Sequence, residues 1–180
     1  MLHEIFLTIY RMPYTTLFSV AIALLFLGGT LHVLVPARVR HIAGYIGMAL
    51  ALFLIIYSTL MGRTETVGSI VWIPGYSFVR ATYSDEYLRM LLMNIFLFVP
   101  YGIFVSLAFD RKSFKNTVLI SMLSSLGLTI AIEAAQFTFG LGCAETVDVI
   151  CNVLGAFIGI IPYLIIYLVR HAWRKNSKNR

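Results

Sequence analysis

The chain has 180 residues, of which 59% are apolar and 12% charged, with 14 Lys+Arg against 8 Asp+Glu for a net charge of +6. An average soluble domain is roughly 45–50% apolar and 25% charged, and a soluble chain this short has too little surface to hide so much hydrocarbon. The composition excludes disorder, collagen and disulfide scaffolds and identifies a membrane protein. Its basic excess points to the cytoplasmic rim of a bilayer rather than to nucleic acid.

About 20 helical residues cross roughly 30 Å of hydrocarbon. Five stretches qualify, at 14–35, 42–61, 88–109, 116–137 and 147–169, and leave no room for a separate soluble domain. The expected fold is all-α: a single polytopic bundle of about five transmembrane helices over residues 1–180. The first run is too long for a cleaved signal peptide, and Pro36-Ala37-Arg38 is a poor cleavage site, so it reads as a retained span. Ten of the 14 basic residues fall on one face: Arg38 and Arg40, then Arg111, Lys112 and Lys115, then Arg170, Arg174, Lys175, Lys178 and Arg180. The positive-inside rule then puts the C-terminus in the cytoplasm and the N-terminus outside. The tail at 170–180 is expected to be a basic anchor touching anionic lipid. The stretch 62–87 reads as an outer interfacial loop, carrying Trp72, Tyr76, Tyr83 and Tyr87 around Pro74-Gly75. An aromatic belt at headgroup depth is the first reading, and a lid over a site the second. Cys143 and Cys151 suggest neither a disulfide nor a metal site, and the sequence leaves any cofactor open.

Polar side chains inside spans are costly and tend to face the bundle and carry function. The third span has Asn94, the fourth Glu133 and Gln136, and the fifth Asp148 and Asn152, with Glu145 just ahead of it. Three helices thus bring their polar groups to one depth, in the outer third of the membrane, while the inner halves read as almost purely apolar. Ser125 and Thr129 continue the Glu133/Gln136 stripe, and Asp148, Asn152, Gly155 and Gly159 form one ridge. Gly155 and Gly159 make a small-xxx-small pair suited to close helix packing. The expected site is an outward pocket lined by Asn94, Glu133, Gln136, Glu145, Asp148 and Asn152, with Arg63, Arg80 and Arg89 as cations able to pair with the acids.

At these residues the sequence resembles the VanZ family of small bacterial membrane proteins. The matching strings are NIFLFVPYGIF (94–104), IEAAQ (132–136) and ETVDVICNVLGAFIG (145–159). Asn94, Pro100, Gly102, Glu133, Gln136, Asp148, Asn152 and Gly155 fall on the family's motif positions. There are departures. Gly142 stands where the family usually has Arg, Glu145 where Asp is usual, and the turn at 71–75 lacks the common Asn. The resemblance implies a multi-pass protein of the bacterial plasma membrane, associated with reduced susceptibility to teicoplanin-type glycopeptide antibiotics.

Two readings of the site stay open. In the first it binds a membrane lipid, a lipid-linked cell-wall precursor or the antibiotic itself, whose ammonium groups suit an acidic pocket. In the second, Glu133 and Asp148 are catalytic carboxylates of an intramembrane hydrolase or transferase, with or without a metal. Transport ranks last, because the sequence shows no inverted repeat and no polar path to the cytoplasmic side.

Overall fold

The computed structural model describes residue 4 and residues 8–60 and 69–178. In chain order its elements are α1 (Tyr14–Leu34), α2 (Ala37–Leu60), β1 (Ser69–Val71), α3 (Pro74–Tyr83), α4 (Asp85–Phe109), α5 (Phe114–Phe139), β2 (Cys143–Glu145) and α6 (Thr146–Lys178). Among the described residues five helices, α1, α2, α4, α5 and α6, are long and apolar enough to cross a membrane. The fold is the expected all-α bundle. Hydropathy locates the hydrocarbon-crossing part of each helix rather than its ends. Thus α2 already begins at Ala37 and takes in Arg38 and Arg40, α4 begins at Asp85, and α6 continues through the basic tail.

Local chemistry sets the turns. Val35 is extended ahead of Pro36, as the residue before a proline prefers, and this separates α1 from α2. Ser113 caps α5, its hydroxyl accepting the Asn116 N–H. At the other end of α5 Gly140 adopts a left-handed φ of 62°, and the Leu141 N–H bonds back to the Gln136 carbonyl at 2.9 Å, closing a Schellman turn. Gly142 follows at φ 145°, a conformation that side chains resist. The backbone on the way into β2 thus takes a conformation suited to glycine.

The stretch between α2 and α4 is more than a loop. β1 pairs with β2 in parallel, Ser69 opposite Cys143 and Val71 opposite Glu145, and α3 follows at once. Three-residue strands have no periodicity to read in a sequence. One end of the bundle therefore gathers β1, β2, α3, the C-termini of α2 and α5 and the N-termini of α4 and α6; we call it the site end. The other, with the α1–α2 and α4–α5 turns, is the basic end.

The central helix is α4. Half of its most apolar window is buried, against 17% for α1. It packs on α1, α2, α3, α5 and most extensively on α6. Apolar burial against lipid supplies no drive for helices to associate, so close backbone approach and van der Waals contact must do so. Gly102 of α4 and Gly155 and Gly159 of α6 make that approach possible. A Cβ on Gly102 would overlap the Ala156 carbonyl oxygen, one on Gly155 that of Ile95, and one on Gly159 that of Val99. Gly44 of α2 meets the α4 backbone at Ala108 in the same way. By contrast α1 and α2, adjacent in sequence, make little direct contact and separate toward the site end. Between them opens a groove of about 220 Å³, floored by Met93, Phe96, Leu97 and Pro100 of α4 and walled by residues such as Leu17, Leu24 and Leu54.

Replacing Gly155 with Leu is expected to abolish the monodisperse folded protein on size exclusion in detergent, because backbone rather than a side chain stands in the way. Gly127→Ala, where a Cβ meets nothing within 4 Å, is the control. It should keep or raise the melting temperature, since alanine favours a helix interior by about 0.5–1 kcal/mol.

Candidate functional site

At the site end the chain builds a hydrogen-bonded chain of carboxylates and amides. Glu133, near the end of α5, accepts the backbone N–H of Glu145 on Oε2 at 2.9 Å. Glu145 in turn accepts the Ser77 hydroxyl on its own Oε2 at 2.7 Å. One turn past Glu133, the Gln136 side chain donates to the Thr59 carbonyl of α2 at 3.0 Å. On α6 the Asn152 side chain donates to Thr129 Oγ1 of α5 at 2.7 Å. Asp148 is buried in the first turn of α6, where the helix dipole favours a negative charge. Glu133, Gln136, Asp148 and Asn152 are all buried. Their positions follow from two faces: the Glu133/Gln136 face of α5, and the α6 ridge whose Gly155 and Gly159 fix it against α4.

The structure brings together Glu133, Gln136, Glu145, Asp148 and Asn152. Asn94 is half-buried on α4 and makes no hydrogen bond to the other described residues, so it stands beside the network. Arg89 does not join the acids. Its guanidinium donates to the carbonyls of Tyr10 and Met12, both at 2.7 Å, and lies over the Tyr14 ring at 4.5 Å. It fastens the segment before α1 onto α4, and there burial, then the Glu86 carboxylate, push the Tyr10 phenol above 10.0. Arg80 is held between the rings of Tyr76 and Tyr87. Arg63 lies outside the described residues.

Ser77 is the residue that sequence reading missed. It is the buried member of α3, whose other face exposes Tyr76, Phe78, Val79 and Tyr83, continuing the exposed Trp72 and Ile73. The one available signal was a small hydroxyl among large aromatics. α3 is thus apolar outward and polar inward, and a single hydrogen bond joins it to the carboxylates.

The basic end is not apolar, contrary to expectation. Asp110 follows α4 and pairs with Arg40 of α2, and His41 Nε2 faces its other oxygen at 3.2 Å without the alignment of a hydrogen bond. His41 Nδ1–H donates to the Ala108 carbonyl at 2.8 Å. Ser106 gives its proton to the Ile103 carbonyl at 2.7 Å, so the 3.1 Å contact with His32 has the imidazole Nε2–H as donor. Arg40 and Arg170 of α6 both donate to the His32 carbonyl. Four helices meet around one carboxylate. The signal was present, since Asp110 is the one acid among the basic turns, but a count of Lys and Arg does not register it. Between the two ends, Thr117, Ser121, Ser125 and Thr129 form a buried hydroxyl face on α5, four residues apart, leading to Glu133. Thr117 and Ser121 extend toward the basic end the stripe that Ser125 and Thr129 begin.

Among the described residues no group of three or more His, Cys, Asp or Glu side chains is arranged to hold a metal. The network offers carboxylates, amides and one hydroxyl–carboxylate pair, a chemistry for binding a polar headgroup or moving a proton.

The VanZ/LLP1 family pattern matches residues 42–168 of the chain. A curated relative, Protein VanZ of Enterococcus faecium, is 31% identical over 75 residues, covering 42% of this chain and 44% of that protein. The match thus spans less than half of that relative's length. No solved structure matches the chain.

Two variants test the assigned roles. Asp110→Asn leaves the Arg40 guanidinium buried without its ion partner, and should lower unfolding free energy in an SDS titration by about 3–5 kcal/mol. Ser77→Ala removes a hydrogen bond to a charged group, worth about 1.5–3 kcal/mol locally. It should speed trypsin cleavage at Arg80 while leaving the melting of the bundle little changed.

Proposed function

The chain belongs to the VanZ/LLP1 family, and from that premise we propose that it binds a lipid-anchored ligand of the outer leaflet at its site end. The ligand class is a lipid-linked cell-wall precursor or a lipid-tailed glycopeptide of the teicoplanin type, and occupancy lowers the cell's susceptibility to that antibiotic. In this reading the basic end lies in the cytoplasm, the site end faces outward, and the membrane is the bacterial plasma membrane.

The observation that carries the reading is the linked network of Ser77, Glu145 and Glu133, with Gln136, Asp148 and Asn152 beside it. It lies beneath α3, whose exposed rings suit headgroup depth. An amphiphile presents its polar group at that level. The groove between α1 and α2 supports the same reading, since it reaches the same depth and is lined by hydrocarbon. Ser58 lines the groove and Thr59, the next residue, holds Gln136, so adjacent residues of α2 face a place for a tail and a place for a head.

A second reading has one observation in its favour. The Ser77 hydroxyl, 2.7 Å from the Glu145 carboxylate, is a hydroxyl–carboxylate pair of the kind a hydrolase or transferase uses. On that reading Glu133 and Asp148 are the further carboxylates, and the substrate is a lipid-linked precursor.

Glu133→Gln and Asp148→Asn are expected to remove protection against a teicoplanin-type antibiotic while membrane levels of the protein stay unchanged. Lipid mass spectrometry of gently purified protein should show a co-purifying amphiphile in the wild type and its loss in Glu133→Gln. Full protection by both variants would overturn the site. A processed lipid product that disappears in Ser77→Ala would decide for the enzyme.

A further inference from the structure

The described residues leave six buried side-chain nitrogen or oxygen atoms without a hydrogen-bond partner: Arg40 Nε, His41 Nε2, Asp110 Oδ1, Ser121 Oγ, Asn152 Oδ1 and Gln136 Oε1. They are not scattered. Three belong to the ionic cluster at the basic end. Ser121 is on the buried hydroxyl face of α5, Asn152 is bonded to the Thr129 of that face, and Gln136 lies one turn beyond Glu133. Ser121 lies on the hydroxyl face and Asn152 beside it. The other orphans belong to the clusters at its two ends, and at the basic end His41 Nε2 and Asp110 Oδ1 face each other at 3.2 Å. The face of Thr117, Ser121, Ser125 and Thr129 leads to Glu133.

Orphaned polar atoms in a folded interior are commonly met by ordered water, which needs two to four polar partners. The spacing fits. Rungs four residues apart on a helix rise by about 6 Å, and one water bridging two hydroxyls spans roughly 5.5 Å as two O–H···O bonds. Ser and Thr on a buried helix face can also be simple packing residues that bond their own backbone. Thr117 bonds the Phe109 carbonyl and Ser125 that of Met122. That explanation does not cover Ser121, which is fully buried and makes no such bond, nor the carbonyl oxygens of Gln136 and Asn152.

We propose that a file of internal water molecules runs along this face of α5 and carries protons between the Asp110 cluster and Glu133. In each hop one O–H bond breaks as the next forms. One proton enters the file from a hydronium of the bulk water at the basic end, which becomes water, and the last water of the file passes one to the Glu133 carboxylate. Every water in between ends neutral, and nothing is oxidised or reduced. The titratable and charged groups along the line are Asp110, Arg40, His41, His32, Arg170 and Tyr163 at the basic end, and Glu133, Glu145 and Asp148 at the site end. The path goes beyond ligand binding, because it lets the protonation of a site carboxylate respond to the opposite face of the membrane.

The test uses the full chain in lipid nanodiscs and water as the probe. Millisecond hydroxyl-radical labelling should oxidise Tyr101 and Ile132, which are buried in the same cluster but would lie beside the file. In infrared spectra, the carboxyl stretch that appears on acidification and is missing in Glu133→Gln should exchange quickly in D2O. Ser121→Val fills the gap between rungs and should reduce both signals severalfold. Thr117→Val has the shape of the native side chain but gives up the bond to the Phe109 carbonyl, and should do the same in a bundle that still folds at a modestly lower melting temperature. It decides the matter if Ser121→Val does not fold. Unlabelled Tyr101 and Ile132 in the wild type, or unchanged exchange in Thr117→Val, would overturn the proposal.

Discussion

Backbone-level contact between α4 and α6 is the constraint from which the rest of the structure follows. In a bilayer an exposed leucine is as well solvated as a buried one, so helices pair where their backbones can come close. Gly102, Gly155 and Gly159 provide three successive places for this, each opposite a carbonyl oxygen of the facing helix. Once the glycine ridge of α6 lies on α4, the polar half of the same ridge has no freedom left. Asn152 is turned to Thr129 of α5, and Asp148 is buried above it. The site is therefore a consequence of the packing seam rather than a separate construction.

The two ends of the bundle are held by different chemistry. At the basic end one carboxylate, Asp110, gathers α1, α2, α4 and α6 through Arg40, His41 and the contacts around His32. Charges out of water are expensive unless paired, so such a cluster is stable only when every member is present. At the site end hydrogen bonds tie the elements together. α1 and α2 diverge, and α3 is fixed to the carboxylates by one hydroxyl. Rigidity at one end and looser packing at the other match what a ligand-accepting mouth requires, since elements that move are drawn from the less stable part of a fold.

How much of this the sequence makes legible depends on the range of the interaction. The five spans, the Asp148–Gly159 ridge and the polar face ending in Glu133 and Gln136 are periodic features of single helices, and all are readable at helical spacing. The parallel pairing of Val71 with Glu145 joins segments more than 70 residues apart, each only three residues long, and leaves no pattern. Ser77 and Asp110 illustrate the same limit. Each is one polar residue whose importance comes from partners on other elements: Glu145 for one, Arg40 and His41 for the other. Arg89 shows the converse. Position suggested a partner for the acids, but nearby carbonyls and a tyrosine ring satisfy its planar donors.

The departure at Gly142 links backbone conformation to the site. With φ at 145° this residue turns the chain after the α5 cap so that β2 can run beside β1. That pairing presents the Glu145 N–H to Glu133 and the Glu145 carboxylate to Ser77. A side chain at 142 would have to bend this path, and with it the register that places Glu145. The turn at Gly142 thus aims a backbone donor at Glu133. The backbone conformation at one glycine sets the donor that holds Glu133, the carboxylate toward which the hydroxyl face of α5 leads.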